Sequence, residues 1–179
     1  MADVRSERLT VRPDQDFVVF LIGARINKWW LVPVVWAVAL AMGRMMRELE
    51  RDPDSGLLSH ESYGGRTTLA IQYWRSLDDL IRYARDRERA HAPAWRRWVR
   101  TWGLSGAVGI WHETYVVRPG SYESLYHHMP PFGLGKVGPL VPAEGELKTA
   151  RKRLAVGRRA ASADSAVAAD PHDRGADAA

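Results

Sequence analysis

Chemistry in this chain has to come from histidine, carboxylate, arginine and aromatic side chains, because its 179 residues include no cysteine. Disulfides, thiolate metal sites and cysteine nucleophiles are thereby excluded, and the composition suits a reducing, cytoplasmic setting. Of the six histidines, His172 stands in a polar C-terminal segment and is set aside, leaving His60, His91, His112, His127 and His128. His112 is the most informative, because it sits among the apolar residues of a strand-like run over 108–117. An imidazole buried there must satisfy its ring nitrogens internally, and the neutral form that burial favours is also the form that ligates iron or acts as a base. The plainer alternative is a core histidine bonded to a neighbouring carbonyl. Strand alternation sends Glu113 to the opposite face, so the adjacent pair is no shared metal site. His127 and His128 precede Met129-Pro130-Pro131, where proline stiffens the backbone, and one of them could reach the mouth of a pocket. Arg25 and Arg66 offer guanidinium forks for an anionic group, or are solvated edge residues. Tyr73, Trp74, Trp111 and Tyr115 could line a flat pocket for a planar ligand, or could equally form a dimer core.

Several familiar chemistries have no motif here. There is no Gly-rich phosphate loop, no Gly-x-Ser-x-Gly elbow and no His-Glu-x-x-His pair. The formal charge of +5 and pI near 9.8 would suit an anionic partner. The positive charge is spread along the chain, however, with one cluster at 148–159, and no zinc-finger, helix-turn-helix or RNA-binding signature accompanies it. No specific nucleic-acid role follows. The longest apolar run, 29–42, is shorter than the roughly 20 residues a membrane span needs and lies too far inside the chain for a signal peptide. It reads as a buried helix. An interfacial helix is the competing reading, supported by Arg25, Lys28, Arg44 and Arg47 at its ends.

These side chains need a scaffold, and the length suits one ordinary domain. Residues 17–25 form a continuous β-branched and aromatic run, as in a strand covered on both faces. The apolar run then predicts a helix from about 31, with Pro33 in its first turn, ending before Asp52-Pro53. Two strands follow over 57–63 and 67–74, joined through Gly64-Gly65. In the second, Leu69, Ile71 and Tyr73 share one face, and Thr68, Ala70, Gln72 and Trp74 the other. Ser76 and Asp79 mark the start of a second helix. Pro93 interrupts it, a further helical piece covers 94–99, and the last strand spans 108–117. Residues 121–141 read as an ordered extension. The domain is accordingly expected over 16–141, with a flexible lead-in at 1–15 and a disordered basic, Ala-rich tail at 142–179.

The order β-α-β-β-α-β predicts an α+β fold of ferredoxin-like topology, a four-stranded antiparallel sheet with both helices on one face. The other face must also be covered. A second copy packed sheet to sheet would do this, making a homodimeric α/β barrel and giving the eight tryptophans somewhere to go.

The stretches 17–30 (FVVFLIGARINKWW), 71–76 (IQYWRS) and 109–115 (GIWHETY) resemble a bacterial monooxygenase-like family of the dimeric α/β-barrel superfamily. That resemblance covers roughly 15–140 and implies the topology just derived. Residues 112–116 (HETYV) and 122–131 (YESLYHHMPP) are also similar to the C-terminal region of haem-containing aldoxime dehydratases. This second resemblance implies His112 as the proximal ligand of a haem iron. It implies that His127 or His128 takes the place of a second, acting histidine, although Pro130 falls near that histidine's position. The expectation is a small enzyme that binds haem through His112, with Trp111, Tyr115 and Trp74 around the macrocycle and His127, His128 and Arg25 acting on a small organic substrate. A cofactor-independent oxygenase or isomerase, and a non-catalytic ligand-binding module, are the alternatives.

Overall fold

The computed structural model describes residues 3–86 and 105–168. In chain order its strands are β1 (Leu9–Val11), β2 (Phe17–Ile26), β3 (Leu57–Tyr63), β4 (Leu69–Trp74), β5 (Val108–Val117) and β6 (Leu140–Pro142). Its α-helices are α1 (Val32–Arg51), α2 (Leu77–Arg85) and α3 (Ala150–Ala168). The chain divides into two compact units, a sheet unit of Phe17–Val116 and a terminal unit of Met1–Asp16 with Val117–Ala179. His91 and the helical piece expected over 94–99 lie outside the described residues.

The sheet unit has the expected mixed α+β architecture. Its four strands stand in the order β3-β4-β2-β5, so the first and third strands of the β-α-β-β-α-β series are central. Antiparallel pairing sets Val18 opposite Trp74, Phe20 opposite Gln72 and Ile22 opposite Ala70. These residues share the face on which the helices lie. Val18 and Trp74 pack there with Met46 and Leu49 of α1 and Leu80 of α2, while Ala24 and Val108 pack with Val34 near the start of α1. Burying such apolar side chains stabilises the fold by roughly 1.5–3 kcal/mol each. Val19, Leu21, Ile71 and Tyr73 belong to the opposite, outer face and are half-buried.

Local chemistry explains the element ends. Pro33 occupies the second helical position of α1, where its missing N–H costs no intrahelical bond. At the other end, the Asp52 side chain accepts from Asp54 N–H and starts a single 3₁₀ turn over Pro53–Ser55. The N-cap of α2 is Ser76, whose hydroxyl accepts the Asp79 N–H at 3.1 Å. The second hairpin strand starts at Leu69, later than expected, and Thr68 before it reaches β2 through both backbone and side chain, its N–H donating to the Ala24 carbonyl at 2.8 Å and its Oγ1 accepting from Ala24 N–H at 2.9 Å. One irregularity between Leu57 and Ser59 in β3 turns His60 to the helix side, opposite Gln72.

The terminal unit departs from the expected lead-in and disordered tail. Residues 9–11 are buried and pair antiparallel with β6, Thr10 opposite Val141. Thr10 is fully buried, and its hydroxyl donates to the Ser124 carbonyl at 2.8 Å. Residues 150–168 are helical. Arg153, only 3% exposed, donates to the Glu123 carboxylate through Nε at 2.8 Å and to the Leu147 carbonyl through Nη1 at 2.9 Å. A β-carbon on Gly157 would lie 2.3 Å from Gly120 N and 2.6 Å from the Pro13 carbonyl oxygen, so only glycine permits this close seating of α3. Composition could not reveal these partners, because they lie far away in sequence. Residues 169–179 of the expected tail lie outside the described residues.

Candidate functional site

The two faces of the sheet separate the side chains that sequence reasoning grouped together. His112 projects from β5 on the helix side, its ring centroid 5.7 Å from that of Phe20 and tilted by 43°. It is exposed, as are the following residues up to Val116. The expectation of a buried imidazole is therefore corrected. β5 is an edge strand, and the helix-side packing is concentrated at its Val108 end, so the middle of the strand meets solvent.

Trp111 lies on the outer face. The position a β-carbon would take on Gly23 is 2.7 Å from Trp111 Nε1 and 2.0 Å from the Thr68 carbonyl oxygen, so the indole and a backbone carbonyl close over a bare glycine. Tyr115 shares that face and is half exposed. Its hydroxyl donates to Glu113 Oε2 at 2.6 Å, and the hydrogen bond to this carboxylate pushes the phenol up from its ordinary value. Trp74 is on the helix side but has no exposed surface. Its indole N–H donates to Gln72 Oε1 at 2.9 Å, and its ring packs 5.6 Å from Tyr83.

The four residues expected around a haem therefore do not line one pocket. Two face outward, one is sealed in the helix-side core, and His112 stands exposed beside Phe20. This set does not fit a macrocycle held between them. Among the described residues no group of three or more His, Asp or Glu is placed to hold a metal ion.

Arg25 is also apart from His112. It lies five residues beyond Phe20 along β2, roughly 17 Å at strand spacing, and its Nη1 donates to Thr67 Oγ1 at 3.1 Å near the hairpin. His127 and His128 belong to the terminal unit. Both are exposed, with ring centroids 4.2 Å apart, and His128 holds a left-handed backbone with φ of 52°. His60 bonds through Nε2 to Glu50 Oε1 at 2.8 Å, tying β3 to the end of α1. Arg66 donates its Nε to the Ile26 carbonyl at 3.4 Å.

Two features escaped sequence reasoning. The first is Phe20, whose helix-side parity could have been read from the alternation of β2 once Trp74 was placed. The second is a charged node at the start of α2. Asp79, with 5% of its side chain exposed, accepts from Arg75 at 2.8 and 3.1 Å, from the Ser76 hydroxyl at 2.9 Å and from Arg82. The Arg75 hydrogen bond above all, with those from Ser76 and Arg82, holds its carboxyl well below the usual range against the opposing effect of burial. The Ser76-x-x-Asp79 spacing signalled the cap, but the arginine fork needed the structure.

Comparison with known proteins places this scaffold. The family model described as "Monooxygenase af470-like" matches residues 17–134, which include all of the sheet unit's described strands and His112, His127 and His128. A curated relative, Monooxygenase af470 of Aspergillus fumigatus, is 30% identical over 94 residues. That stretch covers 49% of this chain and 33% of the fungal protein, so the chain spans about a third of its relative's length. Both matches carry the monooxygenase-like resemblance and neither bears on aldoxime dehydratases. With a match extending over most of its length, the chain belongs to the monooxygenase af470-like family.

Proposed function

We propose that this chain is an oxygenase subunit of the ferredoxin-like, dimeric α/β-barrel type that oxidises a small, planar organic substrate on the helix side of its sheet, with His112 as the base. Family membership supports the reaction class. The observation that carries the site is the exposed imidazole of His112 beside the Phe20 ring, where a substrate can lie against an aromatic surface within reach of a proton acceptor. His112 takes a proton from an activated CH₂ group, and the resulting carbanion reduces dioxygen. One oxygen atom becomes the substrate's carbonyl oxygen, and the other leaves as water with the two hydrogens.

The half-buried outer face, with Val19, Leu21, Ile71 and Tyr73, supports packing against a second copy. The homodimer would close the barrel and leave His112 on each subunit's helix side.

Oxygen uptake with planar substrates that carry an activated CH₂ group, such as the keto tautomers of fused hydroxyaromatics, tests the reading, with ¹⁸O₂ reporting incorporation. His112→Ala should lower kcat by about 10²-fold or more, the typical contribution of a positioned base. Unchanged turnover in that variant would refute the role of His112. Added hemin is the discriminating control. A Soret band that His112→Ala abolishes, with turnover requiring it, would replace the base by an iron ligand. Binding without any oxygen uptake would favour a ligand-binding module.

A further inference from the structure

Helix α1 presents an outward stripe that changes character along the helix axis. In its first three turns the exposed residues are apolar: Val32 is 51% exposed, Trp36 63% and Leu40 50%. The turn leading into the helix adds Trp29 at 75% and Trp30 at 60%, their rings packed edge to face. In the last two turns the same stripe carries exposed Arg44, Arg47 and Arg51, spaced at helical intervals. Arg47 folds back along the helix, its Nε donating to the Gly43 carbonyl at 3.1 Å. An open hollow of about 360 Å³ lies among Arg44, Arg47, Glu48 and Arg51. Of the neighbouring carboxylates, Glu50 is engaged by His60 and Asp52 by the Asp54 N–H.

We infer that α1 and the Trp29-Trp30 turn form an anchor for the surface of an anionic lipid bilayer. Three exposed indoles on one end suit the headgroup level, where an amphipathic ring is favoured. At 1.5 Å per residue, Arg44 lies about 12 Å from Trp36 along the axis and Arg47 about 16 Å. With the apolar end sunk about 5–10 Å into the acyl boundary, the guanidinium groups reach lipid phosphates as the helix leaves the bilayer. The open hollow that Arg44, Arg47 and Arg51 share with Glu48 has room for a phosphate group. The anchor is peripheral, since none of the described helices is long and apolar enough to cross a membrane. Charge sets the preference for lipid over a second copy of this chain: in any orientation a copy adds three more arginines to an already basic stripe, whereas phosphatidylserine supplies the opposite charge.

The test uses the full chain and phosphatidylcholine vesicles with and without phosphatidylserine. The chain should co-sediment with the phosphatidylserine vesicles, and added salt should release it. Trp36→Glu, and separately the double variant Arg44→Glu and Arg47→Glu, should each lower partitioning by about tenfold or more. Because the chain has no cysteine, Leu40→Cys labelled with an environment-sensitive fluorophore reports insertion at one place without any charge reversal. Its emission should brighten and shift to the blue on anionic vesicles. No co-sedimentation, or an unshifted label at Leu40, would overturn the inference. So would a light-scattering mass showing that Trp36→Glu separates a dimer, which would assign the stripe to a contact between copies.

Discussion

Asp79→Asn should cost stability in a way that depends on pH, and the geometry fixes the sign. The carboxylate takes bonds from Arg75, Ser76 and Arg82 while only 5% of its side chain is exposed. Hydrogen bonds to charged groups contribute about 1.5–3 kcal/mol. Both guanidinium groups are more than half exposed and can turn to water, so the net loss in the variant is discounted to about 2 kcal/mol at pH 7. Asparagine keeps the volume and removes the charge. Because the folded-state pKa is depressed, the contribution is fully present above the ordinary value of 3.8 and is lost as pH falls toward the lower folded value. At pH 3 the unfolded chain is mostly protonated at this position while the native one is not, which removes about 1 kcal/mol of the wild type's advantage. Urea unfolding at pH 7 and pH 3, followed by circular dichroism, measures both numbers. The gap between wild type and Asp79→Asn should narrow at the lower pH. An equal gap at both values would show that the variant acts through packing at the start of α2, and the electrostatic reasoning would fall.

Two further outcomes follow from the fold. Gly157→Val should raise hydrogen exchange across 150–162, with a cost of about 1–3 kcal/mol, because its β-carbon meets the backbone at Gly120 and Pro13. Unchanged exchange there would mean that α3 is not held by this contact. Ile71→Arg, on the outer face, should halve the mass seen by light scattering if two sheets pack face to face, while circular dichroism stays native. A wild type that is already monomeric would remove the dimer from the proposal.

Much of the sheet unit was legible because its signals are local. The continuous apolar run of β2, the Pro33 and Asp52-Pro53 limits of α1 and the Ser76 cap need only nearest neighbours to operate. Strand alternation even predicts that His112 and Trp111 point apart. What it cannot predict is how each face is covered. Trp74 joins the helix-side core through Gln72 and Leu80, whereas His112, on the same side, emerges at an edge strand.

The terminal unit was illegible for the complementary reason. Leu9 pairs with Pro142 across most of the chain, and Arg153 meets Glu123 only after the extension has folded back. A basic, Ala-rich segment has little apolar surface, so composition alone reads it as solvated. The close backbone approach at Gly157 and the buried Arg153 ion pair hold it as a helix. The sequence by itself thus determined the order of strands and helices in the sheet unit and the alternation of side chains along each strand, since backbone geometry dictates both. Only tertiary structure decided which of the described tryptophans are core, that His112 is exposed, and that residues 3–16 and 117–168 form a packed unit. Those outcomes depend on contacts between residues that local propensity never compares.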